Sequence, residues 1–167
     1  MHDMKQLEQA LGYHFQNPAL LETALTHTSY ANEARRGTKH NERLEFLGDS
    51  VLSIVVADYL FTHNDLPEGE LTRMRASLVC ESALFGFAQK IRLGDYLRLG
   101  HGEELGGGRH RPSVVSDAFE AVIAALYLDG GIEPARRFIL PFVTQALTCK
   151  NTEDDYKTKL QEIIQQN

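Results

Sequence analysis

The chain has 167 residues, enough for one globular domain or for one domain and a fragment of another. Its 43% hydrophobic and 24% charged residues, with 13 Gly and 5 Pro, exclude disordered, collagen-like and low-complexity architectures. A net charge of −6 excludes gripping nucleic acid by a bulk positive field, so any polyanion must be met locally or through cations.

The longest apolar stretches, residues 51–57 and 121–128, fall far short of the roughly 20 residues that cross a bilayer. The start, MHDMKQLEQALGYHF, has no basic segment followed by an apolar run, so no secretory leader is expected. Cys80 and Cys149 stand alone, without a CxxC pair, and read as free thiols in a reducing compartment, the cytoplasm.

The pattern is helical almost throughout. Asn17 and Pro18 predict an N-cap and first turn, followed by an apolar stripe of Leu20, Leu21, Ala24 and Leu25. Residues 30–40 are polar and contain Gly37, so most of them are expected to form a loop. Asn41 is expected to cap a long helix running to about Phe61 and buried on most sides. Residues 65–69 read as a turn, and 71–91 as one or two helices with Gly86 a weak point. Residues 100–112 form a glycine-rich stretch, expected to be a flexible loop because it lacks a GxxxxGK[ST] phosphate cradle. An apolar helix from Val114 to Leu128 is stopped by Asp129-Gly130-Gly131, and another runs from Glu133-Pro134 to about Leu147. In the tail, a capping box at Thr152 and Asp155 precedes an amphipathic stripe of Tyr156, Leu160, Ile163 and Ile164. No strand-type alternation is sustained anywhere, so the fold class is all-α.

The informative residues are acids in apolar helices. At ~100° per residue, Glu42, Glu45, Asp49 and Ser53 share a strip about 80° wide that carries no Lys or Arg. From Val114 to Leu128 the only charges are Asp117 and Glu120, three apart and therefore on one face. An unpaired buried carboxylate is strongly disfavoured. A lone acid near a helix start can serve the dipole instead, which applies to Glu42 and Asp117. Two apolar helices that both carry spaced acids point to a shared cation, and oxygen ligands without His or Cys favour Mg²⁺ or Mn²⁺ over zinc. A ferritin-like di-iron site needs Glu-x-x-His, which is absent, and a glycosidase reading finds neither Trp nor a strand framework for a sugar cleft.

The run Asn41-Glu42-Arg43-Leu44-Glu45-Phe46-Leu47-Gly48-Asp49-Ser50 resembles the signature of the ribonuclease III family. It is joined in order by residues 26–30 (THTSY), 68–76 (EGELTRMRA) and 116–121 (SDAFEA). The resemblance covers residues 1–148, the endonuclease domain. Residues 149–167 resemble a linker and the opening helix of a double-stranded-RNA-binding domain whose remainder is missing, as in a truncated chain.

The resemblance implies an all-α two-fold homodimer. It implies Mg²⁺-dependent hydrolysis of double-stranded RNA, with Mn²⁺ able to substitute, leaving 5′-phosphate and 3′-hydroxyl ends with short 3′ overhangs in rRNA and other RNA processing. It implies neither a small organic cofactor nor a membrane partner. Glu45, Asp49, Asp117 and Glu120 match the family's metal-binding acids, with Asp49 and Glu120 catalytic. Glu45, Asp117 and Glu120 are expected to hold the ion directly, and Asp49 to orient water or a second ion. Glu42 and Glu68 match acids lining the cleft between subunits, and Phe46 an aromatic inserted into the partner. Arg43, Arg73 and Arg75 are the expected phosphate contacts, with Arg109 and Arg111 read rather as surface charges. His27 is expected to be a structural hydrogen-bonding residue. Two competing readings are a non-catalytic RNA-binding scaffold and an all-α metal protein acting on a small phosphorylated molecule.

Overall fold

A computed structural model describes the backbone of residues 4–34 and 36–165 and the side chains of 4–34 and 36–149. The described residues form α1 (Met4–Leu11), α2 (Pro18–Ala24), α3 (Thr28–Glu33), α4 (Glu42–His63), α5 (Glu68–Val79), α6 (Glu81–Lys90), α7 (His101–Leu105), α8 (Pro112–Gly130) and α9 (Ile132–Gln165). Their one departure from helix and loop is an isolated parallel bridge between Thr26 and Arg98.

The centre of the fold is α8. Pro112 occupies its first turn, where a missing N–H costs nothing, and Gly131 ends it at φ 83°. Every residue from Val114 to Leu126 except Asp117 and Glu120 is buried. Helices α2, α4, α6 and α9 pack around it. Phe119, immediately before Glu120, meets Phe138, Phe142 and Phe87 at ring separations of 5.2, 5.6 and 6.1 Å. Each such pair adds about 0.5–1.5 kcal/mol beyond area burial. The cluster thus fixes the rotation of α8, and with it the direction in which Asp117 and Glu120 point.

Several expectations are corrected. The break between α5 and α6 lies at Cys80, in extended conformation, and α6 passes through Gly86 unbroken. The glycine-rich stretch is ordered as α7 and a 3₁₀ turn at Gly108–His110. Arg109 organises it, donating to the carbonyls of Leu97 (2.7 Å) and Gly94 (3.1 Å) and to both carboxylate oxygens of Glu104. Asn41 precedes α4, but its side chain does not cap it. It is buried, and its amide donates to the Ala24 carbonyl, tying the head of α4 to the end of α2. Helix α4 is buried on one side only: Phe46, Ile54 and Phe61 are 80%, 59% and 76% exposed. Its apolar circumference therefore reflects two faces, one against α8 and one open. Helix α9 runs through residue 148 without bearing on the expected domain limit there, and the side chains of the expected capping box at Thr152 lie outside the described residues. Among the described residues no helix is long and apolar enough to cross a membrane.

Candidate metal centre

Helices α4 and α8 make the largest helix–helix contact of the fold, and Gly48 sits at their crossing. A Cβ there would fall inside the Glu120 carbonyl, so only glycine permits this approach. Gly48 lies between Glu45 and Asp49 in sequence, and its partner is Glu120 itself. The closest backbone approach thus brings the acids of the two helices together.

One carboxylate oxygen each from Glu45, Asp117 and Glu120 lie within 4.8 Å of one another. Asp49, more exposed, stands beside Glu120 closely enough to act on its charge. Among the described residues, none of the ion pairs involves any of these four acids. Their electrostatics follow. Burial pushes Glu120 up to about 8, and Asp49, Glu45 and Asp117 push in the same direction. Burial raises Glu45 too, helped by Asp117, Glu42 and Asp49. Asp117 is raised by burial and by Glu81, and opposed by His27. Three converging carboxylates, half-buried and in no ion pair among the described residues, are matched by a hard divalent ion, which would turn mutual repulsion into coordination. The donor set fits such an ion.

The remaining expected residues are more scattered. Glu42 is exposed at the first turn of α4, its carboxylate 3.8 Å from His40 Nδ1. Glu68 opens α5, accepts from the Thr72 hydroxyl at 2.7 Å, and lines a cleft with Ile54, Phe61, Leu71 and Arg75. Neither joins the three-carboxylate group. Arg43 and Arg75 are exposed, whereas Arg73 pairs with Glu70 at 2.8 Å. Arg109 and Arg111 are ties within the 100–112 segment, Arg111 bonding Glu103 and the Gly106 carbonyl. Their guanidinium groups are committed to the fold. Sequence reasoning missed Glu81, which acts on the charge of Asp117, because the α5–α6 break that places it at the start of α6 has no Gly or Pro to mark it.

Residues 17–147 match a family model described as Ribonuclease-III-like. The chain is 50% identical over 169 residues to Ribonuclease 3 of Clostridium tetani, covering 99% of this chain and 72% of that protein. It is 47% identical over 173 residues to Ribonuclease 3 of Listeria innocua, covering 100% and 75%. Among solved structures, the nuclease domain of ribonuclease III from Campylobacter jejuni matches with a TM-score of 0.78 at 41% identity, over 86% of this chain and 97% of that one. Dicer from Pichia stipitis matches with a TM-score of 0.62 at 26% identity, over 83% of this chain and 60% of that one.

Proposed function

The chain belongs to the ribonuclease III family and is an endoribonuclease of that type, and from this premise we propose that it hydrolyses double-stranded RNA with Mg²⁺, or Mn²⁺ in its place. The products carry 5′-phosphate and 3′-hydroxyl ends with short 3′ overhangs, and the reaction serves rRNA and other RNA processing in the cytoplasm. The observation that carries this reading is the convergence of Glu45, Asp117 and Glu120 from two apolar helices, with none of the three in an ion pair among the described residues.

Glu45, Asp117 and Glu120 would hold the ion, and Asp49, exposed beside Glu120, would orient the attacking water. When bound, Mg²⁺ lowers the pKa of that water and offsets charge on the phosphate. Arg43 and Arg75, exposed and without an ion pair among the described residues, contact the RNA backbone. Arg73 exchanges its surface pair with Glu70 for a phosphate at little cost, since such pairs contribute only about 0–1 kcal/mol. Recognition rests on duplex shape and phosphate and 2′-hydroxyl contacts rather than on sequence, so binding by this chain weakens steeply with salt.

The open face of α4 is the surface of a two-fold homodimer. The Campylobacter relative is described as having a region involved in dimer formation. In an isologous interface each chain gives the same patch, so Phe46 of one protomer enters the cleft formed by Ile54, Leu60, Phe61 and Leu71 of its partner. Two centres then face one duplex, with Glu42 and Glu68 lining the space between them. Residues 1–148 form the endonuclease domain, and residues 149–167 are a linker and the first helix of a double-stranded-RNA-binding domain.

Incubation with a long RNA duplex and Mg²⁺ tests the reading. Short duplex products bearing 5′-phosphates are expected from the wild type and none from Glu120→Gln. No cleavage by the wild type with any divalent ion or salt concentration would favour a scaffold instead, and turnover of nucleotides but not duplex would favour a small-molecule phosphohydrolase.

A further inference from the structure

His40, which precedes Asn41 and the first turn of α4, has no part in the metal reading. Its side chain is 34% exposed. Its Nδ1 is nonetheless buried, and it is the one buried side-chain nitrogen or oxygen among the described residues without a hydrogen-bond partner. A buried polar atom left unmet is destabilising, so the group within its reach is informative. That group is the Glu42 carboxylate, whose Oε2 lies 3.8 Å away, beyond the roughly 2.7–3.2 Å of a closed hydrogen bond. A bare lone pair on Nδ1 would face a negative oxygen, so the carboxylate favours a proton there. The two partners differ in freedom. His40 is followed by a pinned residue: Asn41 donates its N–H to the Thr26 carbonyl at 2.9 Å and its amide to the Ala24 carbonyl at 3.3 Å. The Glu42 side chain is 59% exposed, and a small rotation brings it onto Nδ1.

Charge limits what an exposed carboxylate can meet on an RNA duplex. Phosphates repel it, whereas the 2′-hydroxyls displayed in the minor groove can donate to it. Glu42 stands three residues before Glu45 on the same strip of α4, beside the metal centre. We propose that Glu42 accepts a ribose 2′-hydroxyl of the duplex, and that His40 is its positioning residue: Nδ1–H takes one carboxylate oxygen and leaves the other to the ribose. Both bonds are charge-assisted, and the first fixes the direction of the second. The inference rests on the duplex-RNA reading and gives it a residue pair that tells RNA from DNA. It also gives the buried nitrogen the partner it lacks.

The test compares a duplex RNA with a 2′-fluoro duplex of the same sequence, which keeps the A-form shape and removes the 2′ donor. Preference for the hydroxyl is the inhibition constant of the 2′-fluoro duplex divided by the KM of the RNA, measured on the full chain with Mg²⁺. Glu42→Ala and His40→Phe, which keeps a ring and loses the N–H, are each expected to lower that ratio about tenfold, and the double variant no further. His40→Asn sets an amide N–H where Nδ1–H stood and is expected to hold the ratio within about threefold of wild type. A purely structural His40 would alter stability and leave the ratio unmoved. An unchanged ratio in His40→Phe, or a lowered one that His40→Asn does not restore, would overturn the proposal while wild-type cleavage leaves the enzymatic reading standing. A wild type that does not cleave the RNA duplex would overturn both. Should the variants fail to fold, the long-range ¹H–¹⁵N spectrum of the wild-type His40 imidazole decides: a proton on Nδ1 supports the pair, and a bare Nδ1 refutes it.

Discussion

Replacing Glu120 by glutamine should stabilise the metal-free protein while removing its activity. Burial and three neighbouring acids raise Glu120 from its ordinary 4.5 to about 8. Below pH 4.5 both the folded and unfolded chains hold this proton. Between 4.5 and 8 the folded chain retains it and the unfolded chain has released it, so stability is lost progressively as pH rises through that window. Fully shielded, the displacement would correspond to about 4–5 kcal/mol. Residual solvent and the shared titration of neighbouring acids reduce it to about 2 kcal/mol. Glu120→Gln has no such proton to lose. In EDTA at pH 8 its unfolding midpoint, followed by circular dichroism, should exceed the wild type's by about 4–8 °C, and the gap should close toward pH 5. Mg²⁺ at about 100 times its Kd should then raise the wild type by about 2.7 kcal/mol and leave the variant unmoved. A variant less stable than wild type at pH 8 in EDTA, or a gap independent of pH, would refute the electrostatic reasoning.

Gly48→Ala should push α4 from α8 at the Glu120 carbonyl. A net loss of about 1–3 kcal/mol is expected despite the better helix propensity of alanine, with Mn²⁺ binding lost in calorimetric titration. Arg109→Ala should cost about 2–3 kcal/mol in urea unfolding, because it abandons the Leu97 and Gly94 carbonyls and Glu104. The same variant should leave the KM for duplex RNA within twofold, whereas an unchanged stability with a large rise in KM would restore a phosphate-binding role. Phe46→Asp should convert a sedimenting dimer to monomer at micromolar concentration, since it places a charge on the open apolar face of α4. An unchanged sedimentation coefficient would remove that face from the interface.

The four acids were legible in the sequence because helical spacing alone puts Glu45 and Asp49 on one strip and Asp117 and Glu120 on another, and because their neighbours are apolar. A shared cation was expected from the unpaired acids, but the contact that makes the strips converge was not legible. It is Gly48 meeting Glu120, a long-range contact for which a single glycine inside a helix gives no direction. The cap at Asn17 was readable because its partner is two residues away, and its side chain accepts from Ala19 N–H as expected. Asn41 carried the same local signal, but tertiary contact diverted its amide to Ala24. The 100–112 segment read as loop because glycine lowers helix propensity, while its order comes from Arg109 reaching carbonyls 12 and 15 residues away in sequence. The second apolar face of α4 was visible as composition, yet which side met α8 was not.

The most direct test is anomalous diffraction from a crystal equilibrated with Mn²⁺. A peak is expected within about 2.5 Å of a carboxylate oxygen from each of Glu45, Asp117 and Glu120, absent in Glu120→Gln. Carboxylates splayed from one another with no peak between α4 and α8, or a peak held by other residues, would contradict it.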